Sequence, residues 1–114
     1  MHLLKPEIPL ESRKSLVPPK RRVAVSVDPK VFDGYVGRYR FSKDDILTVT
    51  REDDRLFEQR TGELKSQIYP ESQRDYFCKV FDEQVSFRTD GRGIATGLVF
   101  TQNGTGRRAR RIKN

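Results

Sequence analysis

Apolar and polar positions alternate along most of this chain, and the period changes once. Val31, Phe32, Tyr35 and Val36 fall at i, i+1, i+4 and i+5, the spacing of one helix face. Asp28 stands where an N-cap belongs, Pro29 suits the first helical position, and Gly37 supplies a stop. So short a helix is unstable alone, so its apolar face must pack on a sheet.

From Gly37 onward the period is two. The alternation predicts strands over 38–41, 46–51, 55–60, 64–69, 76–81, 84–89, 94–101 and 107–112. Asp53-Asp54, Thr61-Gly62, Asp82-Glu83, Asp90-Gly91 and Asn103-Gly104 mark turns between them, the last two being strong hairpin dipeptides. Eight short strands joined this way predict an all-β fold, an eight-stranded antiparallel meander that closes into a barrel behind one short helix. The aromatic residues Phe32, Tyr35, Tyr39, Phe57, Phe77 and Phe87 are the expected core, and with seven Phe and four Tyr in the chain the interior is expected to be filled.

Residues 1–27 differ in kind. They hold four of the six prolines and the cluster Lys20-Arg21-Arg22, which favours extended chain over packed structure. They read as a Pro-rich basic linker or docking segment, of which residues 1–22 are expected to be dispensable for folding, with Val23, Val25 and Val27 able to add an edge strand. Residues 28–114 then form the domain, ending in a basic strand.

Charge sharpens this division. The net +7 separates into +4 over residues 1–27, −2 over 28–106 and +5 over 107–114, and all eleven aromatics lie between Phe32 and Phe100. A mildly acidic body with basic ends argues against a nucleic-acid-binding domain, which carries its basic stripe on a folded face. The run Arg107, Arg108, Arg110, Arg111 could grip phosphate. The blander reading, a final edge strand whose cations deter strand-to-strand aggregation, is favoured. Together with Lys20, Arg21 and Arg22 these arginines are the candidate docking residues.

Candidate chemistry is sparse. No phosphate-loop, nucleophile-elbow or Ser-x-x-Lys pattern is present. Gly91-Arg92-Gly93 lies between two predicted strands and reads as a hairpin, and Asn103-Gly104-Thr105 as a turn. The acidic pairs Asp44/Asp45, Asp53/Asp54 and Asp82/Glu83 sit in expected turns, where water keeps carboxylates ordinary. They lack a calcium-loop spacing. Cys78 is the only cysteine and His2 the only histidine, so an internal disulfide and a Cys-built zinc site are excluded. Cys78 reads as a small buried hydrophobe alternating with Tyr76 and Val80. No catalytic residue, metal or cofactor is expected. No apolar run approaches a membrane span. Charges and prolines within Met1–Leu10 break any export signal, so the chain, if complete, is expected to be cytoplasmic.

One stretch resembles a known family. Val27-Asp28-Pro29-Lys30-Val31-Phe32-Asp33-Gly34-Tyr35-Val36-Gly37-Arg38-Tyr39 is similar to the opening of a small lipocalin-like domain found at the C-terminus of β-lactamase-like serine hydrolases. Weaker matches follow in order: Leu47 to Glu52, Arg55-Leu56-Phe57, Leu64 to Ser72, Tyr76-Phe77, Val85-Ser86-Phe87, Gly97-Leu98-Val99 and Gln102-Asn103-Gly104. The resemblance implies a non-catalytic accessory domain for a D-aminopeptidase-, esterase- or penicillin-binding-like enzyme, and it supplies no catalytic residue. The expected partner is such a catalytic domain, in cis or in trans, or a second copy. The serine hydrolase motifs themselves are absent, so the chain is either a piece of a longer protein or a standalone relative. Two other expectations remain open: a small-molecule binder using the barrel interior, and an anionic-polymer binder using the basic arms.

Overall fold

The first segment with regular geometry is a 3-10 helix, Pro29–Gly34, in a computed structural model that describes residues 22–113. The Asp28 carboxylate accepts the backbone N–H of Lys30 at 3.0 Å, as its N-cap position requires. Eight strands follow: β1 (Gly37–Ser42), β2 (Asp45–Glu52), β3 (Arg55–Arg60), β4 (Ser66–Pro70), β5 (Asp75–Phe77), β6 (Glu83–Thr89), β7 (Ala95–Gln102) and β8 (Thr105–Ile112). Each pairs antiparallel with the next, and β8 pairs back onto β1. The architecture is a closed eight-stranded antiparallel meander barrel. The Asn103-Gly104 hairpin has positive φ at both residues, 51° and 86°, which matches the twist of the flanking strands. At the β6–β7 hairpin the Asp90 carboxylate accepts the N–H groups of Arg92 and Ile94, and these bonds hold its pKa below the ordinary value.

The two ends of the barrel differ. At one, the helix inserts Phe32 and Tyr35 beneath the strands, where the Tyr35 and Phe87 rings stack at 4.2 Å and Tyr76 meets both edge-on. Tyr39 donates to the Tyr35 carbonyl at 2.6 Å, and the Tyr35 and Tyr76 hydroxyls both donate to the Gln73 carbonyl. Helix, β1 and the turn after β4 are thereby tied together by phenols that would otherwise be buried without partners. Leu47, Val49, Leu56, Ile68, Val85, Leu98 and Phe100 complete the core. These side chains occupy the space in which a roomier barrel would hold a ligand.

At the other end the inward positions are polar. Glu58, Arg60 and Glu83 are buried. Asp45 receives a bidentate pair from Arg60 at 2.7 and 2.9 Å, and the Arg60 guanidinium lies over the rings of Phe41 and Phe100. The Asp45 hydrogen bonds keep Arg60 still harder to deprotonate than usual. Asp45 and Glu83 were expected in solvated turns. They are instead the first residues of β2 and β6, in phase with Leu47/Val49 and Val85/Phe87, so the pleat turns them inward.

Of the aromatic residues expected in the core, Phe32, Tyr35, Tyr39, Phe77 and Phe87 are all 3% exposed or less. Phe77 is covered outside the central cluster, beside Tyr69. Phe57 departs from expectation. Leu56, Glu58 and Arg60 take the inward positions of β3, so Phe57 faces out, half-buried under the Lys65 ammonium. The fifth strand also ends early, at Phe77, so Cys78 is buried while Val80 is 69% exposed.

The domain starts earlier than expected. Residues 22–28 have no regular structure, yet Val25 donates to the Pro70 carbonyl, Arg22 grips both oxygens of Glu71, and Val27 packs on the core. Closure leaves no free barrel edge, so this segment lies against β3, β4 and the turn after β4 and forms no edge strand.

Two outcomes follow from this packing. Phe87→Ala should cost about 3–5 kcal/mol in a urea melt, against less than about 1.5 kcal/mol for Phe57→Ala; equal losses would contradict the assigned faces. Burial also pushes the Tyr39 phenol up to about 12. Its pKa is higher folded than unfolded, so its contribution is intact below about pH 10 and is lost between pH 10 and 12. Melts across that range should show falling stability, with a shallower slope for Tyr39→Phe.

Candidate docking surface

The arginines of β8 separate into two sets by the pleat. Arg107, Ala109 and Arg111 face inward, and Arg108 and Arg110 face out. Arg107 sits at the polar end, 3.3 Å from the Asp45 carboxylate and over the Phe41 ring. Arg111 lies at the helix-capped end. Its guanidinium donates to the carbonyls of Gly34, Val36 and Ala95, joining the helix, the start of β1 and the start of β7. Gly37 makes room for it: a Cβ there would lie 2.8 Å from Arg111 Nε. Arg107 and Arg111 are therefore structural groups. Lys20 and Arg21 lie outside the described residues, and Arg22 is committed to Glu71. Among the described residues of the candidate docking set, Arg108 and Arg110 present guanidinium groups without an ion pair.

The helix-capped end carries the apolar surface. A cleft of about 600 Å³ runs between the helix, the turn at Gln73-Arg74 and the β6–β7 hairpin. An open hollow of about 760 Å³ adjoins it between Val36, Ala95 and Ile112. Ile94 borders both and is 43% exposed. It was expected to begin the seventh strand, and the Asp90 turn holds it outside the ladder. Gly34 is needed at this junction, since a Cβ would lie 2.3 Å from the Gly93 carbonyl oxygen.

Nothing here assembles a reactive centre. Burial raises the pKa of Tyr35, and its hydroxyl is spent on Gln73. Ser72 and Ser86 both donate to the Asp75 carboxylate on the outside of the barrel, with no histidine or lysine in the arrangement. Among the described residues no group of three or more His, Cys, Asp or Glu is placed to hold a metal ion.

Fold and surface define a small closed β-barrel with a filled interior and its free chemistry on the outside. Residues 21–109 match the family described as Domain of unknown function (DUF3471), and the chain belongs to that family. It is also similar to Penicillin-binding protein 4* of Bacillus subtilis (strain 168), 26% identical over 108 residues. That alignment takes in 95% of this chain and 22% of the relative, so the chain spans about a fifth of the relative's length.

The division of the arginines is open to measurement. Arg111→Ala removes a charged donor from three carbonyls and should cost about 2–4 kcal/mol. Arg108→Ala should change stability by no more than about 0.5 kcal/mol. Equal effects in thermal melts would show that the inward and outward sets are assigned wrongly.

Proposed function

We propose that this chain is a non-catalytic accessory domain of a β-lactamase-like serine hydrolase, docking on the catalytic domain in cis or in trans, or on a second copy. The observation that carries this reading is the alignment that takes in 95% of the chain but only 22% of Penicillin-binding protein 4*. A unit of this size accompanies the larger part of such a protein. Its topology is that of a closed up-and-down antiparallel barrel. The stacked Tyr35, Tyr76 and Phe87 rings favour docking over carriage of a small ligand inside it.

The docking element is the helix-capped end. Ile94, Ile112 and Val36 surround the hollow there, beside backbone groups fixed by Arg111. An apolar patch with a polar rim on a rigid frame is what a stable interface needs.

The purified chain should not turn over a chromogenic ester, a D-amino-acid amide or a β-lactam. Saturable turnover abolished by mutating one serine would overturn the non-catalytic reading. With a β-lactamase-like catalytic domain added, amide exchange should slow at Val36, Gly37 and Ile94–Thr96. Unchanged exchange at those positions would remove this end as the docking element.

A further inference from the structure

The outward face of β6, β7, β8 and β1 has an unusual composition. Its positions are Gln84, Ser86 and Arg88 on β6, Gly97, Val99 and Thr101 on β7, Gly106, Arg108, Arg110 and Ile112 on β8, and Arg38, Arg40 and Ser42 on β1. Five of these are arginine, and none is lysine, acidic or aromatic. Among the described residues none of Arg38, Arg40, Arg88, Arg108 and Arg110 forms an ion pair.

Register sets them in a row. Arg40 pairs with Arg110, Arg110 with Gly97, and Gly97 with Arg88. The line crosses four strands, about 14 Å at roughly 4.8 Å per strand. Gly97 stands in the middle of it without a side chain, packed so closely on the Ala109 carbonyl oxygen that a Cβ would lie 2.8 Å from it. The resulting depression, about 430 Å³, is lined by Arg40, Arg88, Arg108 and Arg110.

Guarding an edge does not account for these charges. β8 is hydrogen-bonded on both sides, so no edge exists there for cations to protect. Like charges directly opposite one another, as at Arg40 and Arg110, work against the sheet. An anion bound across the pair would relieve that repulsion.

We propose that this face binds a linear phosphate-bearing polymer without stacking bases, lying along the Gly97 trough between the arginines. Guanidinium forks match phosphate oxygens in two-point contacts that lysine cannot reproduce. The absence of an aromatic platform disfavours single-stranded nucleic acid. The face has no aromatic side chain and its apolar side chains, Val99 and Ile112, are half-buried, so it lacks the apolar centre of a folded-protein interface. The surface lies on the barrel wall and shares Arg110 with the rim of the hollow at the helix-capped end, so its test uses arginines outside that hollow, and the two readings can fail separately.

The probe is fluorescently labelled inorganic polyphosphate, titrated with the full chain and followed by anisotropy. Binding should weaken with a log–log salt slope of about −2 to −3, as three or four phosphate contacts at about 0.7 each require. Combining Arg40→Gln with Arg108→Gln, both outside the apolar hollow, should weaken binding at least about tenfold. Arg55→Gln with Lys65→Gln, elsewhere on the barrel, should change it less than about twofold. Thermal melts of both double variants check the fold. No binding at low salt, or equal weakening by both pairs, would overturn the proposal. So would tighter binding of oligo-dT, which would make the face a nucleic-acid site. Poly-L-glutamate binding as tightly as polyphosphate would assign the face to an acidic protein and overturn it too.

Discussion

The pairing of β8 with β1, only three residue pairs from Arg38↔Ile112 to Arg40↔Arg110, is the constraint on which the rest of this molecule depends. Closing the sheet creates an interior that must be filled, and it removes every free edge from the ladder. It also sets Tyr39 opposite Arg111, bringing the phenol that anchors the helix beside the guanidinium that caps it. The same seam turns Arg40 and Arg110 outward as neighbours. One short register thus decides where the helix sits and where free charge remains.

The interior is filled in two chemical styles. At the helix end, stacked rings are satisfied by phenol-to-carbonyl hydrogen bonds, which tie the helix and the turn after β4 to the barrel. At the opposite end, the inward register runs on past the apolar residues and brings in Asp45, Glu58, Arg60 and Glu83, with the exposed Arg107 at the rim. Buried charge of this kind is tolerable only when paired with good geometry, and the bidentate Arg60–Asp45 contact supplies it. A body closed at both ends in this way is rigid and leaves function to its exterior.

That exterior is divided. The helix-capped end offers an apolar hollow around Ile94, suited to a folded partner. The wall formed by β6, β7, β8 and β1 offers unpaired guanidinium groups around a bare backbone trough, suited to anions. The segment 22–28 covers the outside of β3 and β4 and is held there by Pro70 and Glu71. The chain belongs to the DUF3471 family and spans about a fifth of the length of Penicillin-binding protein 4*, to which it is similar.

Local sequence determined the elements. The Asp28-Pro29 cap, the Asn103-Gly104 and Asp90-Gly91 turns and the period-two alternation specify one short helix and eight strands, because each depends on neighbours in the chain. The faces of polar residues were also legible in principle: Asp45 is in phase with Leu47, and Glu83 with Val85. Hydropathy alone hides this, since a charged residue at a strand end looks the same solvated or buried. Phe57 failed for the converse reason: Leu56 and Phe57 are adjacent and cannot both face inward, and only the register with β2 and β4 decides between them. The role of each β8 arginine was not legible. Whether a guanidinium caps carbonyls, as Arg111 does, or stands free, as Arg110 does, depends on what closure brings opposite it. Residue 37 is remote from 111 in sequence, and only the closure of β1 onto β8 makes it a neighbour, while Ala95 reaches it through the β7–β8 hairpin.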